Sequence, residues 1–202
     1  EGAGRAFCSG GDLFEHRDFA GDAFEQEMQV HTRIIRAMLD CPKPIFCRLH
    51  GAAAGWGATF ALFSDMVIAA EDARIHDPHV ALGLSTGDGA AIVWPFLMGH
   101  AHAMQYLLTG DTMTGRQAAD YGLVNEAVPA DRLAARVQAL AERIAAQPPH
   151  AVRLTKASVN IPLKMLVQGM MDTCIAFEVA TQKGEDHHAA LAAFAARSAA
   201  VR

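Results

Sequence analysis

Two glycine-rich turns constrain this chain most: Phe7-Cys-Ser-Gly-Gly-Asp-Leu13 and Gly51-Ala-Ala-Ala-Gly-Trp-Gly57, separated by one helix-like and one strand-like segment. Consecutive glycines reach backbone angles that other residues avoid, and they let main chain approach a ligand. The second turn enters an apolar stretch, Ala58 to Ser64, that reads as a helix. Its late N–H groups therefore have no intrahelical partner and lie at the positive end of a helix dipole. Two such donors converging on one carbonyl oxygen would stabilise an enolate or oxyanion by a few kcal/mol each.

Around the turns the sequence alternates strand and helix. Ala23 to Leu39 carries Phe24, Met28, Ile34, Ile35, Met38 and Leu39 near helical spacing and stops at Pro42 and Pro44. Ile45 to Leu49, Met66 to Ala70, Arg74 to His76 and Val124 to Val128 read as strands. Between His76 and Gly89 lies a loop rich in turn formers, and loops of that length are usually either functional or disordered. Helices are predicted over Ala90 to Met98, Ala101 to Leu108, Thr114 to Tyr121, and Asp131 to Gln147. Thr114 is the N-cap of the third of these and Gly122 its stop. Beyond Pro148-Pro149 three more helices follow, Ala151 to Ser158, Pro162 to Thr181 and Glu185 to Arg197. The expected organisation is an α/β core over residues 1–147 and a helical oligomerisation region over residues 148–202.

Composition narrows the function classes. A net charge of −5 and the lack of any Lys/Arg run give no electrostatic footprint for nucleic acid. The most apolar stretch, Gly51 to Ala70, contains three glycines and Asp65, which suits a buried element better than a membrane span. Cys8, Cys41, Cys47 and Cys174 form no CxxC pair, as expected of reduced thiols in the cytoplasm, and no signal peptide is visible. His76, Asp77, His79 and Asp88 lack a helix that would set two ligands on one face, so no metal is expected. His187-His188 reads as a solvated helix start, and Asp12 as an organiser of its own turn.

The two turns at this spacing, with His50-Gly51 through Asp65, Leu107-Leu-Thr-Gly-Asp111, Ala118 to Asn125 and the tail Glu185 to Arg197, resemble the crotonase (enoyl-CoA hydratase/isomerase) superfamily across nearly the whole chain. That resemblance implies a ββα spiral core followed by a helical region, with the family's opening strands missing before Glu1. It implies oxyanion donors at the N–H groups of Gly11 and Trp56, and contacts to substrate or coenzyme A at Ser9, Gly10 and Thr59. It also implies a homotrimer or dimer of trimers acting on an acyl-CoA thioester, with no cofactor beyond the coenzyme A of the substrate.

The departures locate the chemistry. Hydratases of this family place two glutamates around one water, and the matching positions here hold Thr59 and His79. An imidazole exchanges protons near neutrality, whereas a hydroxyl does not. His79 with Asp88, in the run Thr86-Gly-Asp-Gly89 followed by Val93-Trp-Pro95, resembles the branch that includes 6-oxocamphor hydrolase, a C–C bond hydrolase of β-diketones. His79 and Asp88 are therefore the expected catalytic acid/base pair. Three readings stand: an enoyl-CoA hydratase/isomerase-like enzyme without the glutamate pair, a β-diketone hydrolase, and a non-catalytic binding protein of the same fold.

Overall fold

The computed structural model describes residues 1–13 and 23–200. Its core is two small sheets wound as a spiral. Strand β1 (Phe46–Leu49) pairs in parallel with β3 (Met66–Ala70), which pairs with β6 (Glu126–Val128). The second sheet joins β2 (Ala52–Ala54) in parallel to β4 (Arg74–His76), and β4 antiparallel to β5 (Met113–Thr114). Phe46 aligns with Met66 and Ala52 with Arg74, so each turn of the spiral is two short strands and a helix. The chain is thus α/β with the expected ββα core and a helical C-terminal region.

The second glycine turn, Gly51 to Gly57, contains strand β2, which its sequence does not predict. Alanine has little strand preference of its own. Here Ala53 and Ala54 are buried and the ladder to β4 satisfies their backbone groups, so tertiary pairing overrides propensity. Cys8 bridges to Ala53 on the free edge of β2, with Ala54 N–H donating to Cys8 O at 3.0 Å. That contact places the first glycine turn directly against the second.

Helix α1 (Ala23–Asp40) buries Phe24, Met28, His31, Thr32, Ile35, Met38 and Leu39 on one stripe, the face its period predicts. The helix α2 (Trp56–Leu62) begins two residues earlier than the sequence suggested, so Trp56 is its first helical residue. Helices α3 (Ala90–Met98) and α4 (His100–Thr109) follow the 76–89 loop, which contains one 3-10 turn at Val80–Leu82. Thr114 caps α5 (Gly115–Asp120) through a reciprocal capping box with Gln117, as the sequence predicts for a cap at this position.

After α6 (Leu133–Ala145), the helices α7 (Pro149–Val159), α8 (Ile161–Gln182) and α9 (Glu185–Ala200) return to the core. Lys156 of α7 holds this return in place. Its buried Nζ donates to Asp65 at 2.6 Å, to Lys43 O at 3.0 Å and to Met38 O at 3.3 Å. Asp65 also accepts from Ile45 N–H, so one buried cation joins α7, the end of α1 and the entry to β1. None of the helices formed by described residues is long and apolar enough to cross a membrane.

Candidate active site

Close approach of the two turns is the first requirement of the site, and two glycines make it possible. Gly10 has φ +90°, and a Cβ there would stand 2.7 Å from Ala54 O and 3.7 Å from Trp56 N. A Cβ on Gly57 would stand 2.6 Å from Cys8 O and 2.7 Å from Cys8 Cβ. Side chains at either position would push the turns apart. Trp56, as the first residue of α2, carries an N–H for which the helix itself has no acceptor.

A cavity of about 70 Å³ opens between the turns. Gly10, Gly11, Gly55 and Trp56 of the two turns line it together with His79, Asp88 and Glu178. Ser9, exposed, also lines it. Thr59 differs from its expected place: it is fully buried, and its hydroxyl donates to Asp88 Oδ1 and Oδ2 at 3.1 and 3.2 Å. It orients Asp88 and does not wall the cavity. A threonine at this helix position has the reach to hold the Asp88 carboxylate.

His79 and Asp88 both reach the site, but not as a hydrogen-bonded pair. His79 Nε2 lies 3.9 Å from Asp88 Oδ2, beyond hydrogen-bond distance. The carboxylate that grips His79 is Asp77, whose Oδ1 lies 2.6 Å from Nδ1 and accepts the His79 backbone N–H at 3.0 Å. His79 Nε2 faces Glu178 Oε1 at 3.4 Å. The imidazole thus spans two carboxylates, with Asp88 beside it. Asp88 is held separately, by Thr59 and by the Ala90 N–H at 3.1 Å.

Asp77, His79 and Asp88 each offer a ligand atom within 4.8 Å of the others. The 2.6 Å contact of Asp77 with His79 is nevertheless a hydrogen bond. Two atoms sharing a tetrahedral zinc ion stand roughly 3.3 Å apart, given metal–ligand bonds of about 2.0–2.1 Å.

Sequence reasoning overlooked Glu178, yet a signal was there. Leu163, Val167, Met171, Ile175 and Glu178 follow one another at helical spacing on the buried stripe of α8, and a glutamate on such a stripe is buried only with a partner. Gly87 allows the approach, since a Cβ there would meet Glu178 Oε2 at 2.6 Å. Among the described residues Glu178 Oε2 is buried with no hydrogen-bond partner. Asp77 was visible in His76-Asp-Pro-His79 but only as a remote metal ligand.

Electrostatics divides the labour. Burial by itself would lower the His79 pKa, but the Asp77 and Asp88 carboxylates, with hydrogen bonds to Asp77 and Glu178, hold it well above 6.5. These contacts favour the imidazolium form of His79. Burial pushes the Asp88 carboxyl up from its ordinary 3.8 to about 7; the His79 charge opposes this, while Asp77 and Glu178 add to it. A group titrating near neutrality is suited to move a proton in either direction.

Both shifts destabilise the fold as pH rises. Folded Asp88 keeps a proton that the unfolded carboxyl releases near 3.8, so stability falls between about pH 4 and about pH 7. The slope is at most about 1.4 kcal/mol per pH unit. His79 continues the fall above 6.5, where only its folded form stays charged. Urea unfolding of Asp88→Asn at pH 4 to 7 is expected to show a flatter pH dependence than the parent chain; an equal slope would remove Asp88 as its source.

Comparison with known proteins follows the same lines. The family model described as enoyl-CoA hydratase/isomerase matches residues 1–200. The chain is 32% identical over 200 residues to a 1,2-epoxyphenylacetyl-CoA isomerase of Escherichia coli, covering 97% of this chain and 76% of that one. It is 36% identical over 159 residues to a crotonyl-CoA hydratase of Syntrophomonas wolfei, covering 79% of this chain and 58% of the relative. Against a probable enoyl-CoA hydratase of Rhodobacter capsulatus it spans 50% of the relative's length. Among solved structures, an enoyl-CoA hydratase/isomerase from Mycobacterium paratuberculosis superposes with a TM-score of 0.87 at 32% identity, over 94% of this chain and 76% of that one.

Proposed function

The chain belongs to the enoyl-CoA hydratase/isomerase family, the crotonase superfamily, and on that premise we propose that it acts on the carbonyl of an acyl-CoA thioester through the N–H groups of Gly11 and Trp56. The observation that carries this reading is the shared cavity, which both glycine turns line together with His79, Asp88 and Glu178. A thioester oxygen received by the two N–H groups would be polarised, and the enolate formed at its α-carbon stabilised. Asp88, titrating near 7, is the group assigned to exchange the substrate proton. The His79 imidazolium, fixed by Asp77, supplies positive charge beside the enolate and orients Glu178. This arrangement replaces the family's glutamate pair with carboxyl groups arriving from the loop and from α8.

Titration with coenzyme A and acetoacetyl-coenzyme A tests the reading. Binding tighter than millimolar, with the thioester tighter than coenzyme A, is expected; no detectable binding of either would sink it. A second reading, hydrolysis of a β-diketone C–C bond, draws on one observation: Asp77 fixes the cavity-lining His79 through Nδ1, as a carboxylate orients a catalytic imidazole. Cleavage of a cyclic β-diketone without coenzyme A binding would select it. Assembly as a homotrimer or dimer of trimers is also part of the proposal, through the exposed apolar residues Leu154, Val159, Ile161, Met165 and Met170.

A further inference from the structure

We infer that Trp56, held flat against His31, sets the acyl selectivity and restricts the site to short, uncharged acyl groups; this rests on the acyl-CoA reading above. The backbone of Trp56 belongs to the second glycine turn, but its side chain has a separate role. The indole lies 3.8 Å from the His31 ring at an interplanar angle of 8°, a parallel stack, and contacts Phe60 at 6.2 Å and 45°. His31 is itself buried on the inner stripe of α1, so the ring that backs the indole is packed into the core. Both rings line the cavity, together with Met28 of the same stripe.

The space left is small. A cavity of about 70 Å³ is roughly half of the about 150 Å³ that admits benzene, which leaves room for a few heavy atoms beyond the carbonyl. Among the described residues lining the cavity, the indole is the largest side chain an acyl chain of eight carbons would have to displace. Charge narrows the choice again. Asp88 and Glu178 line the cavity, and Asp77 lies fully buried behind His79, giving three carboxyl groups for one imidazole. An acyl group ending in a carboxylate would bring a further negative charge against them, and like-charge juxtaposition is a strong means of rejection.

Calorimetric titration of the full chain with butyryl-, octanoyl- and glutaryl-coenzyme A separates these effects. The parent chain is expected to bind the butyryl thioester at least about tenfold more tightly than the octanoyl one, the scale on which a pocket rejects methylenes it cannot hold. The glutaryl thioester is expected to bind at least about a hundredfold more weakly than butyryl. Trp56→Ala should bring the butyryl-to-octanoyl ratio to within about threefold and leave the discrimination against glutaryl in place. His31→Phe, which preserves a stacked ring, should keep the parent ratio, whereas His31→Ala should lower it; this pair decides the matter if Trp56→Ala does not fold. Equal binding of butyryl and octanoyl thioesters by the parent chain, or an unchanged ratio in Trp56→Ala and His31→Ala, overturns the size filter. Tight glutaryl binding overturns the charge filter. Absence of binding for every thioester and for coenzyme A defeats the acyl-CoA reading and this inference with it, an outcome distinct from equal binding.

Discussion

Replacing His79 by alanine is expected to lower turnover of any thioester substrate by about 10²–10³-fold, the usual cost of removing one preorganised group that stabilises developing negative charge. It should also lower stability by about 3–5 kcal/mol, because it removes the cation from among buried carboxylates. Asp77 and Glu178 are both within 3.4 Å of the imidazole and both nearly inaccessible to solvent. Without His79 their charges have no partner ring. The two effects can be separated. Adding Asp77→Asn to His79→Ala removes one of the stranded charges and should recover part of the stability while turnover stays low. Stability would be followed by urea unfolding and turnover by loss of the thioester. A His79→Ala variant with parental turnover would eliminate the residue from the mechanism, and with it the reading of Nε2 as the site's positive charge.

The second large effect is expected at Gly57, where two local rules oppose one another. Gly57 lies in α2, and in a helix alanine is ordinarily favoured over glycine by about 1 kcal/mol. Here the added Cβ would stand 2.6 Å from Cys8 O and 2.9 Å from Cys8 Sγ. Relieving such a clash typically costs about 1–3 kcal/mol, so the steric term outweighs propensity and Gly57→Ala should destabilise. The relief must move Cys8 away from α2, and Gly10 and Gly11 follow two and three residues later. Loss of one aligned donor lowers the rate by about 10²–10³-fold. Gly169, exposed on α8 with open space around its Cα, is the control: Gly169→Ala should stabilise by up to about 1 kcal/mol. If Gly57→Ala were as stable as the parent and bound acetoacetyl-coenzyme A equally well, the close packing of the two turns would not be needed for the site.

Where the sequence was legible, short-range physics was enough. Helix α1 shows its buried stripe in its own spacing, α3 begins and ends where the pattern predicts, and Thr114 declares its cap. Strands β3 and β4 are apparent in their β-favouring residues. Strand β2 was not legible, because three alanines carry no strand signal until a partner strand lies beside them. The same distinction applies within the site. Both glycine turns were evident from composition, and His79 and Asp88 stood out as titratable residues in a long loop. Their actual partners were not evident, since Asp88 is held by Thr59 from 29 residues away, and Glu178 comes from a helix 99 positions beyond His79.

The sequence by itself determined which chemistry this protein could hold: glycines that free backbone donors, a histidine able to carry a proton, and a helical tail with an apolar stripe. Only the tertiary structure decided how those groups are used. Burial and distance assign Asp77 to the His79 imidazole, raise Asp88 toward neutrality, and bring Glu178 into the cavity. The reason is physical: propensities, caps and turn angles depend on neighbours in the chain, whereas desolvation and Coulomb interaction depend on neighbours in space.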